Sequence, residues 1–263
     1  MERTTRYRGR YVFVAGLHRT GTSLVARILA SHPEVAAITN SPAPENEGCY
    51  LQGAIPHTAQ HGIPGHYATD PAQHLIEGCA FDNLETRLRI ENDWDRWFGP
   101  GDSWRVEKSP VNLTRTRLYQ QLFPTAQFVV VVRHPAVMAA ALGKWLDAEP
   151  SDLVDYALDA LDTLLDDLEH LHAAFVFRYE DLACVDRSGA LWAFLGVPPA
   201  IHDITIRDGN ADYPKTVPLS PEQARRAARF GYGDNGTCEA FTPIVRHPLR
   251  AVRDAVTDAL NAA

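Results

Sequence analysis

Residues 11 to 27 read Tyr11-Val-Phe-Val-Ala-Gly16-Leu-His-Arg19-Thr-Gly21-Thr22-Ser23-Leu-Val-Ala-Arg27. An apolar run meets a glycine, crosses a short polar loop and enters a helix. A buried strand that feeds a helix this directly opens a βα unit, and such units build parallel sheets covered on both faces. The spacing Gly16-x-x-x-x-Gly21-x-Ser23 also matches a phosphate-binding loop, in which glycines let backbone N–H groups curl around an anion at a helix N-terminus. His18, Arg19, Thr20, Gly21, Thr22 and Ser23 are therefore the candidate anion ligands. A nucleotide kinase carries lysine where this chain has Thr22, so the cation must come from elsewhere, most simply from Arg19. That points away from ATP.

The rest of the chain alternates in the same way. Apolar runs place strands near residues 11–16, 104–107, 127–132 and 174–178. Helical periodicity follows at about 22–31, 111–122, 136–146, 152–172, 187–195, 221–230 and 248–261. The expected fold class is α/β: a P-loop-containing nucleotide-binding fold with a mostly parallel sheet flanked by helices. A length of 263 residues suits one domain spanning 1–263. Residues 40–70 are rich in proline and glycine, as expected of a loop over the site. The net charge of −8 argues against a nucleic-acid partner, so an anionic ligand needs a local cationic pocket. Cys49, Cys79, Cys184 and Cys238 have neither metal-like nor CxxC spacing and read as reduced cytoplasmic thiols. The first residues lack an apolar leader, and no run reaches the ~20 apolar residues that span a bilayer.

Three further segments extend the pattern. They are Val106-Glu-Lys108-Ser-Pro110, the strand Leu122-Phe-Pro-Thr-Ala-Gln-Phe-Val-Val-Val-Val-Arg133-His-Pro135, and Phe177-Arg-Tyr179-Glu-Asp181-Leu182. With the Arg19 loop they resemble the motif set of sulfotransferases that use 3′-phosphoadenosine 5′-phosphosulfate (PAPS), in particular bacterial relatives of the tyrosylprotein type. The resemblance implies PAPS as donor, adenosine 3′,5′-bisphosphate (PAP) as product, no metal, and a small-molecule hydroxyl acceptor of the kind met in secondary metabolism. It implies that the Arg19 loop holds the 5′-phosphosulfate, Arg133 the 3′-phosphate, and Tyr179 the nucleotide. Lys108 would neutralise charge on the leaving phosphate.

Two positions depart from that pattern. The serine expected eight residues after Arg133 is Ala141, so either Lys144, Lys215 or backbone groups replace the missing contact, or discrimination for the 3′-phosphate is weaker than the resemblance implies. The acid expected about twenty residues beyond Arg19 is Asn40, which cannot take a proton. The nearest carboxylates lie in Pro44-Glu45-Asn46-Glu47-Gly48. Glu47, then Glu45, is the expected general base, with His57, His61 and His66 as the rival set. Two other function classes stay open at this level: a P-loop kinase or NTPase acting on a small molecule, and a nucleotide-binding protein that has lost catalysis. The sequence is silent on oligomeric state.

Overall fold

The computed structural model describes residues 9–56, 64–101, 103–184 and 187–262. Its centre is a six-stranded sheet of β1 (Arg10–Ala15), β2 (Val35–Ala37), β3 (Trp104–Lys108), β4 (Gln127–Val132), β5 (Ala174–Arg178) and β6 (Ile244–Arg246). The strand order is β2-β3-β1-β4-β5-β6. Every neighbouring pair is parallel except β5 with β6. The four expected strands all form. β2 and β6, three residues each, were not legible as strands because so short a run shows no period.

Alternation along β1 divides the core between the two faces of the sheet. Tyr11, Phe13 and Ala15 join one cluster with Trp94, Tyr119, Phe123 and Phe128, while Val12 and Val14 join the other with Val25, Ile28, Trp104 and Phe175. The unbroken Phe128–Val132 run is the mark of a central strand buried on both sides.

The helices are α1 (Thr22–Ala30), α2 (Leu84–Asp95), α3 (Thr116–Leu122), α4 (Pro135–Leu142), α5 (Pro150–Leu168), α6 (Tyr179–Cys184), α7 (Ser188–Leu195), α8 (Pro221–Ala227) and α9 (Arg250–Ala262). Of these, α2 and α6 were not anticipated. The helix expected over 111–122 is a 3-10 turn at Pro110–Thr114 followed by α3, because Pro110 opens the turn and Arg115 leaves helical geometry. The expected loop over 40–70 carries one-turn 3-10 helices at Pro44–Asn46, Gly48–Tyr50 and Tyr67–Thr69. His57 and His61 lie outside the described residues.

Register places the site. In the parallel sheet Val14 pairs with Lys108, Ala15 with Val130, and Val132 with Arg178. The carboxyl ends of β1, β3, β4 and β5 therefore deliver the glycine loop, Lys108, Arg133 and Tyr179 to one edge, where ligands of open α/β sheets bind.

Candidate active site

The loop between β1 and α1 is held in shape by its own bonds. Gly21 sits at φ 100°, and a Cβ there would lie 2.6 Å from the Tyr179 ring, so only glycine lets that ring close against the loop. Thr20 is buried and its Oγ1 donates to Leu17 O at 2.8 Å. Its hydroxyl thus serves the loop rather than a ligand. No side chain caps α1, which leaves its first N–H groups facing the cavity at the positive end of the helix dipole. Arg19, at φ 71°, donates to Tyr213 Oη at 3.2 Å and lies over the Trp145 ring.

A cavity of about 520 Å³ opens above this loop. His18, Arg19, Gly21, Thr22 and Ser23 of the loop line it, together with Arg133, Tyr179, Arg207, Gly209 and Tyr213. Arg133 is buried, and each of its nitrogens has a distinct position. Nε donates to Asn210 Oδ1 at 2.8 Å and Nη1 to Arg19 O at 2.6 Å, while Nη2 is buried without a partner among the described residues. The guanidinium carbon stands 4.5 Å over the Tyr179 ring. Burial lowers the Arg133 pKa, but the group stays a cation. A buried, fixed arginine with one unanswered donor at the rim of a polar cavity is built for an anion.

The Arg178-Tyr179-Glu180-Asp181 segment frames that arginine. Tyr179 Oη donates to Arg207 O and accepts from Gly209 N, both at 2.8 Å, which fixes the 207–209 loop. Glu180 accepts from His134 N and from Asn210 Nδ2, each at 3.0 Å. Arg178 pairs with Asp181 and donates to the carbonyls of Gly231 and Glu239. Tyr213 reports the field here: burial opposes its ionisation, yet Arg19 and Lys144 together hold its hydroxyl below the ordinary tyrosine value. Lys144 stands 4.1 Å over the Tyr213 ring.

The second part of the site centres on an ion pair. Lys108 Nζ donates to Glu47 Oε1 at 2.8 Å, with both side chains about nine-tenths buried. Burial pushes the Glu47 carboxyl up, and the Lys108 ammonium pulls against that. Glu47 lines the first cavity and Lys108 lines a second, of about 660 Å³, between α1 and the ends of β2 and β3. Ser23, Arg27 and Glu45 border both cavities, so the two adjoin. His18 sits edge-on to Tyr67 and Trp145, and burial, helped by Lys108, lowers its pKa to about 4. It is neutral at pH 7.

The structure thus brings together His18, Arg19, Gly21, Thr22, Ser23, Arg133, Tyr179, Lys108, Glu47 and Glu45. It does not bring Lys215 or His66 there, for both are exposed and line neither cavity. Ala141 is buried against Val137 and Tyr213, so the place expected of a serine is packed apolar contact. Asn210, Arg207, Tyr213 and Trp145 were missed. For Asn210, Arg207 and Tyr213 the one sequence signal is a cation two residues before Gly209, in a stretch with no period, while Trp145 lies in the segment read as helical over 136–146.

The sulfotransferase-family profile matches residues 11–186, well over half of the chain. The chain belongs to the sulfotransferase family. That membership carries sulfuryl transfer from PAPS to a hydroxyl acceptor. Among solved structures, a sulfotransferase from Alicyclobacillus acidocaldarius is 18% identical with a TM-score of 0.46, covering 84% of this chain and 90% of its own. One from Mycobacterium tuberculosis H37Rv is 15% identical with a TM-score of 0.47, covering 97% and 77%. No curated protein sequence gives a significant match. Among the described residues no helix is long and apolar enough to cross a membrane.

Proposed function

We propose that this sulfotransferase uses Glu47 as general base and Lys108 as the cation at the leaving oxygen, with the donor in the Arg19–Arg133 cavity and a small hydroxyl compound entering from the adjoining one, its hydroxyl reaching Glu47 at the border of the two. The Lys108–Glu47 pair carries this reading, because it places a base and a cation together at the border of two cavities that share a wall. The residues fit the donor. The uncapped α1 terminus with Arg19, Thr22 and Ser23 would hold the 5′-phosphosulfate, and the unanswered Nη2 of Arg133, with Arg207 beside it, would hold the 3′-phosphate.

When bound, PAPS supplies an activated sulfuryl group whose departure leaves negative charge on a phosphate oxygen. This chain's residues do the rest. Glu47 takes the acceptor proton at Oε1 or Oε2 as the acceptor oxygen gains its bond to sulfur. Lys108 is released from Glu47 to the charge that develops, a contribution made mainly in the transition state. Neutral His18 adds no competing positive charge.

The test is thermal. PAP in excess should raise the melting temperature by mass action, by about 2.7 kcal/mol of stability at a hundred times its Kd. ATP with magnesium should do far less, since it has no 3′-phosphate for Arg133. Stronger stabilisation by ATP would overturn the assignment of the donor site.

A further inference from the structure

Glu107 precedes Lys108 on β3 and is 1% exposed, yet it contacts neither cavity. Its Oε1 accepts from Gly48 N at 2.9 Å and from Ser109 Oγ at 2.5 Å, and its Oε2 accepts from Asn112 Nδ2 at 2.6 Å. Every partner donates. Those partners sit on two separate segments: Gly48 directly follows Glu47, while Ser109 directly follows Lys108 and Asn112 lies in the 3-10 turn after it.

The bonds continue outward. Ser109 Oγ also accepts from Cys49 N at 3.2 Å, and Asn112 Nδ2 also donates to Val14 O at 3.1 Å, at the entry to the phosphate loop. Trp94 Nε1 holds Gly48 O at 2.8 Å from the other side. Gly48 itself is dictated by this carboxylate, because a Cβ there would lie 2.7 Å from Glu107 Cγ. The two members of the catalytic pair come from segments 61 residues apart, and Glu107, with Ser109 beside it, ties those segments to each other.

We propose that Glu107 is the positioning residue of the Glu47–Lys108 pair: its carboxylate fastens the turn after Glu47 to the turn after Lys108 and so sets the distance between base and cation. The inference rests on the assignment of that pair. A carboxylate suits this post and an amide does not. Gly48 N–H faces one oxygen, and Asn112 Nδ2, held by Val14 O, faces the other, so an amide nitrogen meets a donor on whichever side it turns. Leaving such a buried donor unanswered is costly, and the turn must shift to relieve it. A misplacement of about 1 Å at a catalytic pair costs on the order of 10²-fold in rate.

The experiment is Glu107→Gln, studied as the full chain with PAP bound. A crystal structure should show the Lys108–Glu47 contact, 2.8 Å in the native protein, opened beyond hydrogen-bonding distance. The Glu47 carboxyl, followed by carbon-13 NMR, should titrate higher than in the native protein, because it loses the downward pull of the Lys108 ammonium while it stays buried. Release of PAP from PAPS, with 4-nitrophenol as the probe hydroxyl, should slow about 10–100-fold while PAP affinity stays within about twofold. In a Glu47→Gln background the same change should cost less than about threefold more, because there is no base left to misplace. Where Glu107→Gln fails to fold, Ser109→Ala removes one anchor of the same carboxylate and should give the same shifts, smaller. A retained Lys108–Glu47 contact with unchanged Glu47 titration in the folded variant would overturn the proposal. Native turnover in Glu47→Gln alone would instead overturn the base assignment, and the contact distance would still decide what Glu107 does.

Discussion

Removing the Lys108 ammonium tests the energetics of the ion pair. At 2.8 Å and an effective dielectric of about 20, the pair's gross attraction is about 6 kcal/mol. Lys108→Met keeps the stem and deletes the charge, stranding Glu47 in its buried place. Glu47 escapes by taking a proton, and that escape caps the loss. Keeping a carboxyl protonated at pH 7.5 against an unfolded value near 4.5 costs about 4 kcal/mol at 1.36 per unit. This agrees with the range of about 3–5 kcal/mol for breaking a buried pair from one side.

The sign follows from proton counting. In Lys108→Met the native state holds a proton that the unfolded chain releases above about pH 4.5, so stability falls as pH rises. The deficit relative to wild type should be about 3–4 kcal/mol at pH 7.5, or roughly 6–10 °C in melting temperature for a chain of this size. It should shrink by about 1.4 kcal/mol per unit of acidification and almost vanish near pH 5. Differential scanning calorimetry from pH 5 to 8 measures it. Lys108→Met with Glu47→Gln should recover most of the loss at pH 7.5. A deficit that is flat with pH, or a double variant no better than the single one, would refute the reasoning. Turnover in Lys108→Met should fall about 10²–10³-fold with PAP affinity little changed.

Arg133→Ala removes a buried cation and should weaken PAP binding about 10²-fold, as lost charge-assisted bonds do, while adenosine 5′-monophosphate binding changes far less; isothermal titration separates the two. His18, with its pKa lowered to about 4 by burial and Lys108, is neutral in the native state where the unfolded chain binds a proton. Between pH 6.5 and 4.5 wild type should therefore lose about 2–3 kcal/mol more stability than His18→Gln, read as converging melting curves on acidification.

Much of the scaffold was legible because its strands announce themselves. Tyr11–Ala15 and Phe128–Val132 are buried on both faces, so each is an unbroken apolar run, and each ends in the residue that carries function: the glycine loop and Arg133. Lys108 was legible from the Lys108-Ser-Pro110 segment and the resemblance it carries, for β3 itself, Trp104-Arg-Val-Glu-Lys108, is no apolar run. What the sequence hid is non-local. β2 and β6 are three residues long, and the 205–213 loop shows no period, so Asn210 and Tyr213 meet Arg133 only through the fold. Lys215 looked a suitable cation by chain position, but it is exposed beyond the cavity and Lys144 stands nearer. Glu47 lay in a proline- and glycine-rich segment where acids are normally solvated. Its burial depends on Lys108 beneath it and on Gly48 fitting against Glu107, neither of which periodicity reveals. Glu45 stays exposed with a left-handed backbone, φ 51°, at the border of the two cavities.

The central claim is that Glu47 takes the acceptor proton, and the pH profile of turnover in Glu47→Gln tests it most directly. Wild-type turnover with a hydroxyl compound that the enzyme sulfates should show an acid limb with its midpoint above the ordinary glutamate value, because burial raises the Glu47 pKa. Glu47→Gln should lose about 10²–10⁴ in turnover, and that acid limb should flatten. Glu45→Gln and His66→Ala should stay within a few-fold of wild type with the limb in place. Wild-type turnover and an unmoved acid limb in Glu47→Gln, with collapse in a histidine variant, would contradict the account and assign the base to imidazole.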